Sequence, residues 1–68
     1  MSPDAQRQAR GLIVVLAASP LSRLVRRLDI GMVTAGGIRI WAYPDDDFWL
    51  YYTDEPDGSL AIVSIWER

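Results

Sequence analysis

The chain has no cysteine, no histidine and no lysine among its 68 residues. Without cysteine it can form neither a disulfide nor a thiolate metal site, and the usual zinc ligand sets are excluded. A cysteine nucleophile and a histidine-based acid/base mechanism are excluded as well. We interpret the acidic run at residues 45–47 as a solvated turn. The sequence therefore predicts no metal ion and no cofactor. It also predicts a small core that neither a disulfide nor a structural metal ion stabilises.

Long apolar segments are also lacking. The longest one, residues 11–18, falls far short of the roughly 20 residues that a membrane-spanning helix needs. A mixed-charge stretch precedes it and Ser19-Pro20 follows it, which are not the flanks of a secretory signal. We therefore predict a cytoplasmic protein that does not contact the membrane and that forms a single domain over residues 1–68.

Charge is unevenly distributed along the chain, whose net charge is −2. Residues 1–39 carry six arginines and two acids, whereas residues 40–68 carry one arginine and seven acids. The acidic total argues against nucleic acid as a general ligand, because phosphate binding depends on many basic contacts. The basic half could still contact an anion locally, and Arg23, Arg26 and Arg27 are the candidates.

The first segment has the pattern of an amphipathic helix. Ser2 is placed as an N-cap and Pro3 as the first helical residue. Apolar residues follow at helical spacing, at Ala5, Ala9, Leu12, Ile13 and Leu16. Val14 and Val15 fall outside this stripe. They are either tolerated surface residues or the contact for another helix, from a second copy or from a different protein.

Residues 20–29 are ambiguous. Leu21, Leu24, Val25 and Leu28 recur at helical spacing, with the arginines opposite and Gly31 placed as a stop, which favours a short second helix. An extended conformation with residues 25–28 in a strand is the alternative. The arginines are then a solvated helix face or a functional cluster. With a second helix, the chain divides into a helical part over residues 2–29 and a glycine-containing connector over residues 30–36.

Residues 37–67 contain three short apolar segments separated by two acidic turns, PDDD and DEPDG. This pattern is typical of an antiparallel meander. We therefore predict an α+β fold in which one or two N-terminal helices pack on a three-stranded antiparallel β-meander. The meander holds every aromatic residue of the chain.

The strand register determines which side chains share a face of the sheet. Turns at residues 44–47 and 54–58 would pair Tyr43 with Phe48 and Thr53 with Ser59. Both faces of the sheet are then apolar: one carries Arg39, Trp41, Tyr43, Phe48, Leu50, Tyr52, Leu60, Ile62 and Trp66, and the other carries Ile38, Ile40, Ala42, Trp49, Tyr51, Ala61, Val63 and Ile65. Because one helical layer covers only one face, we expect a large exposed apolar surface in the monomer. Alternatively, the second helix or a different register covers it.

The order of elements resembles a known family. The strings LAASPLSRLVRRLDIG and GGIRIWAYPDDDFWLYYTDEPDGSLAIVSIWER, about fifty residues in all, resemble the carboxy-terminal two-thirds of RelE/ParE superfamily toxins of bacterial type II toxin-antitoxin systems. The shared pieces are a helix ending before proline, a basic-basic-leucine element at residues 26–28 and an aromatic-rich strand between two others. The resemblance implies a strand at residues 25–28. It also implies a shortened relative, without the family's first strand and helix.

The departures from the family affect the expected activity. The messenger-RNA-cleaving branch has an arginine about where Trp49 stands, and basic or tyrosine residues near its carboxy terminus. Only Arg39, Tyr52 and Arg68 remain here as weak catalytic candidates. The resemblance therefore favours the gyrase-directed branch, which binds a protein, over an enzyme.

Three hypotheses follow for the function. The first is a toxin or toxin-like component that acts by binding a protein and is neutralised by a cognate antitoxin. The second is a small non-toxic inhibitor or adaptor of phage or mobile-element origin, and the third is a ribosome-dependent messenger-RNA endoribonuclease. A homodimer is an alternative to a foreign partner. The residues expected to contact a partner are Leu12, Val14, Val15, Leu16, Trp41, Trp49, Tyr51 and Trp66.

Overall fold

The computed structural model describes residues 2–68 and places two helices before a four-stranded antiparallel sheet. The helices are α1 (Pro3–Ala18) and α2 (Pro20–Arg26), and the strands are β1 (Leu28–Val33), β2 (Arg39–Pro44), β3 (Phe48–Asp54) and β4 (Leu60–Glu67). Neighbouring strands in the chain are neighbours in the sheet, in the order β1-β2-β3-β4. The predicted α+β fold is confirmed, but the sheet has four strands instead of three.

Helix α1 forms as its sequence indicates. The Ser2 hydroxyl accepts a hydrogen bond from the Ala5 amide at 3.2 Å, and Pro3 occupies the first turn. The predicted apolar stripe faces the core, with Ala9 and Leu16 buried. The helix ends at Ala18, because Pro20 has no amide hydrogen and restricts the residue before it.

The segment after α2 departs from the local helical pattern. Helix α2 ends at Arg26 instead of residue 29, and β1 takes in residues 30–33 of the expected connector over residues 30–36. The pairing of residues 28–33 with β2 outweighs the helical spacing of the apolar residues in this segment. Gly31 does not stop a helix; it lies in an irregularity of the β1–β2 register with φ +73°, and its amide donates to the Asp29 carboxylate at 2.9 Å. Arg39 pairs with the same carboxylate.

The strand register also differs from the expected one. Tyr43 pairs with Leu50 rather than Phe48, and Thr53 pairs with Ala61 rather than Ser59. Both turns begin one residue later than expected. The Asp45 amide donates to the Phe48 carbonyl oxygen at 3.0 Å, and the Glu55 amide donates to the Ser59 carbonyl oxygen at 2.8 Å. The two-residue slip leaves the faces of β2 and β3 unchanged. A bulge opposite Tyr51 and Tyr52 changes the face of β4.

The core lies between the helices and one face of the sheet. Its buried residues are Ala9, Leu16, Tyr43, Phe48, Leu50 and Tyr52, with Leu12, Ile13, Trp41, Leu60 and Ile65 packed around them. Because of the bulge in β4, Ile65 contributes to this core and Trp66 points to the opposite face, which is the reverse of the predicted arrangement. The helices therefore cover a single face of the sheet.

A buried arginine joins the helices to the sheet. Arg23 is only 3% exposed. Its Nε donates to the Leu16 carbonyl oxygen at 2.6 Å and its Nη2 donates to that of Ala17 at 3.2 Å. Its Nη1 donates to Asp54 at 3.0 Å and to the Gly58 carbonyl oxygen at 3.1 Å. One side chain thus satisfies carbonyls at the end of α1 and holds the β3–β4 turn.

This arginine also sets the orientation of α2. The sequence pattern predicts a solvated arginine face and a packed apolar stripe, and for Arg23 and the stripe that prediction is wrong. Leu21 is 75% exposed, Val25 is 77% exposed, and Leu24 also lies at the surface. The helix turns Arg23 inward because carbonyl and carboxylate partners for its guanidinium lie there.

We expect Arg23→Lys to lower the free energy of unfolding by about 2–4 kcal/mol, because an ammonium group cannot reproduce the planar, multiply bonded geometry. The matched control is Arg26→Lys on the exposed side of the same helix, which should change stability by less than about 0.5 kcal/mol. Urea unfolding monitored by tryptophan fluorescence measures both. Equal effects of the two substitutions would contradict the structural role of Arg23.

Candidate functional site

The face of the sheet turned away from the helices is apolar and uncovered. Its side chains come from all four strands, and they line a shallow groove of about 410 Å³: Ile30, Met32, Ile40, Tyr51, Val63 and Trp66. We call this surface the open face. Trp66 is 64% exposed, Met32 56% and Val63 49%. The exposed apolar surface that the sequence predicts is therefore present.

Two tryptophans form one end of this surface. Trp49 on β3 lies directly across from Trp66 on β4, and such cross-strand aromatic pairs stabilise antiparallel sheets. The Arg68 guanidinium lies 4.6 Å from the centre of the Trp49 ring, in cation-π contact. The Trp66 indole nitrogen donates to the Ser64 hydroxyl at 3.1 Å. These contacts fix both rings while leaving Trp66 accessible.

The residues expected to contact a partner fall into three places. Trp49, Tyr51 and Trp66 lie on the same side of the sheet, at the open face. Val14 and Val15 are exposed on α1. The others belong to the core region: Leu16 is fully buried, and Leu12 and Trp41 pack against the buried cluster.

The three weak catalytic candidates are not brought together. Tyr52 is fully buried, and its hydroxyl donates to the Arg23 carbonyl oxygen at 3.1 Å. Arg39 begins β2 and pairs with Asp29, whereas Arg68 lies beyond β4 at the opposite end of the sheet. Tyr52 is not accessible to a substrate, and the two arginines are separated by the length of the strands. This arrangement offers no acid/base pair.

The three candidate anion contacts also separate. The Arg23 guanidinium is saturated with protein acceptors. Arg27 donates to the second oxygen of Asp54 at 2.6 Å and stacks 3.7 Å from the centre of the Trp41 ring. Arg26 alone is exposed without such contacts. Asp54 thus binds two of the three arginines, and the cluster supports the fold.

Neither a metal site nor a membrane-spanning helix is found among residues 2–68. No group of three or more acidic side chains in this range could hold a metal ion. No single helix in the same range is long and apolar enough to cross a membrane. Together α1 and α2 meet such a test of length and composition, but they are bent by 116° at their junction.

The part of the open face that β1 provides was not predicted. Ile30 and Met32 lie in the segment that the sequence analysis assigned to the connector over residues 30–36. A signal was available, because apolar residues alternate with Asp29 and Gly31 over residues 28–32, which is the two-residue period of a strand.

A scan against protein-family models finds no match for this chain, and searches of curated proteins and of solved structures find none either.

Burial raises the pKa of the Tyr52 hydroxyl above its ordinary value near 10, against the opposing effect of Arg27 and Arg23. Because the pKa of Tyr52 is higher in the folded state than in the unfolded state, its neutral hydroxyl contributes fully to the free energy of unfolding below pH 10. This contribution is lost as the pH rises through the folded-state pKa. Tyr52→Phe removes both the titration and the hydrogen bond to Arg23. At pH 7 it should lower the free energy of unfolding by about 1 kcal/mol.

The difference in the free energy of unfolding between Tyr52→Phe and the unchanged protein should shrink as the pH rises above about 10. Only the unchanged protein loses stability there, because its Tyr52 hydroxyl ionises more readily in the unfolded state than in the folded state. Urea unfolding at neutral and alkaline pH measures this difference. Ile65→Val, a substitution beside the core that removes no ionisable group, is the control and should lower the free energy of unfolding by an amount that does not change with pH. A Tyr52→Phe difference that stays constant with pH would contradict burial of the ionisable hydroxyl.

Proposed function

We propose that this chain is a toxin or toxin-like component of a bacterial toxin-antitoxin system, related to RelE/ParE toxins, that acts by binding a cytoplasmic protein. The observation that carries the binding role is the uncovered open face, to which all four strands contribute. The class of protein comes from the sequence resemblance over residues 16–31 and 36–68. A cognate antitoxin neutralises the chain by competing for the same face.

The composition of the open face supports a protein partner. Aromatic residues and methionine are enriched at protein interfaces, and exposed tryptophans in particular tend to dominate binding energy. Trp66 and Met32 are such residues, and Val63 lies close to them. A contiguous exposed apolar patch of this kind normally marks an interaction site.

The surroundings of the open face do not suit nucleic acid. Residues 40–68 hold seven acids and one arginine, and that arginine is stacked on Trp49. Phosphate binding requires accessible basic groups, which this part of the chain lacks. The separation of Arg39, Tyr52 and Arg68 further favours binding over RNA cleavage.

Expression of the chain alone in a bacterium tests the proposal. We expect growth inhibition, and we expect Met32→Glu and Val63→Glu to relieve it, because each places a charge on the open face without touching the core. The matched control is Val33→Glu, the same kind of substitution at an exposed residue of β1 that the strand register places on the other face of the sheet, which should keep the inhibition. Circular dichroism and the thermal midpoint of each purified variant show whether it remains folded.

Two outcomes would overturn parts of the proposal. Normal growth with folded protein present would contradict the toxin class and would favour the non-toxic inhibitor or adaptor. Growth inhibition that survives Met32→Glu and Val63→Glu in folded proteins would contradict the role of the open face.

A further inference from the structure

The two helices expose a second apolar surface on the other side of the core. It consists of side chains that are each more than half exposed: Val14, Val15, Leu21, Leu24 and Val25. We call it the helix surface. On α2 its members stand at i, i+3 and i+4 and therefore form one continuous stripe.

The arginines without partners lie on the same two helices. Four arginines of the chain are engaged in ion pairs or ring contacts, namely Arg23, Arg27, Arg39 and Arg68. Arg7, Arg10 and Arg26 are exposed, and within residues 2–68 no ion pair or ring contact involves them. The sole acid on α1 and α2 is Asp4, in the first turn of α1.

These arginines lie on the same helices as the side chains of the helix surface. Arg7, Arg10 and Val14 follow one another at i, i+3 and i+7, so they lie along one side of α1. Arg26 directly follows Val25 at the end of α2. The helix surface is therefore apolar with a basic margin, in contrast to the open face, whose surrounding segments are acidic.

We propose that the helix surface binds an acidic amphipathic segment of a partner protein. Apolar side chains of the segment would pack on the stripe of α2, as amphipathic helices do in hydrophobic grooves. Its carboxylates would pair with Arg7, Arg10 and Arg26, and this complementarity gives specificity and a faster association rate. The proposal does not depend on toxic activity, because it concerns a different face.

The hydrogen bonds of Arg23 make this surface preformed. They fix α2 to the end of α1 and to the β3–β4 turn, with Leu21 and Val25 directed to solvent. A partner that binds such a surface loses less free energy to ordering than one that binds a mobile segment.

Charge also favours an acidic segment over two other partners for the helix surface, namely a second copy of the chain and an anionic membrane. A symmetric contact with a second copy would place the arginines of both copies in one interface, where Asp4 is the sole acid of each pair of helices, and this excess of like charge opposes such an interface. An anionic membrane surface is disfavoured by the net charge of −2, and three free arginines are fewer than the four to eight basic residues typical of lipid-binding clusters.

The test uses two designed helical peptides of about 16 residues, both with leucine at i, i+3, i+4 and i+7. One carries glutamate at the remaining positions and the other carries lysine. Fluorescence anisotropy with the full chain should show binding of the glutamate peptide, at least about tenfold weaker binding of the lysine peptide, and loss of affinity as salt is raised.

Variants of the chain assign the binding to a surface. Leu24→Gln and the pair Arg10→Gln with Arg26→Gln should each weaken binding of the glutamate peptide about tenfold. The matched control, Val63→Gln on the open face, should leave the affinity unchanged. Binding that ignores the helix variants, equal binding of both peptides, or no binding of the glutamate peptide would overturn the proposal. Tighter binding to phosphatidylserine vesicles than to the peptide would overturn it in favour of a membrane.

Discussion

The Arg23 guanidinium is the interaction on which the arrangement of helices and sheet depends. A buried cation is tolerated only when its donors are satisfied, and four protein acceptors surround this one. They come from the end of α1, from Asp54 on β3 and from Gly58 in the following turn. Asp54 also holds Arg27, which stacks on Trp41. In a chain without cysteine, this polar cluster joins elements that are distant in sequence.

Features with local causes could be predicted from the sequence. The Ser2 cap, the apolar stripe of α1 and the two acidic turns each depend on neighbouring residues, and each is present in the structure. The apolar character of both sheet faces also followed from the two-residue period. The residues of β2 and β3 that share a face were assigned correctly despite the slipped register, because a slip of two residues preserves the face.

Features with distant causes could not be predicted. Arg23 is 31 residues from Asp54 and 35 from Gly58 in sequence, so a helical wheel of α2 alone placed its polar face in water. Strand β1 depends on hydrogen bonds to β2, which override a local helical period. The bulge in β4 exchanged the faces of Ile65 and Trp66, which placed Ile65 beside the core and Trp66 across from Trp49 on the open face.

The molecule combines two uncovered surfaces of different character. The open face presents Met32 together with Val63 and Trp66, which lie in the acidic residues 40–68, and the helix surface presents aliphatic side chains on helices that carry free arginines. The core between them uses only one side of each layer. Exposed apolar patches of this kind normally mark interaction sites, and both outer sides of this small domain carry one.

The accessibility of both surfaces in the isolated protein is the most direct test of this account. A soluble nitroxide added during NMR spectroscopy broadens signals of exposed groups. We expect strong broadening of the Met32, Val63, Leu21 and Val25 methyl groups, whereas the methyl groups of Leu16 and Leu50, which are fully buried, should keep their intensity. Protection of Met32 and Val63 would contradict an uncovered sheet, and protection of Leu21 and Val25 would contradict the orientation of α2.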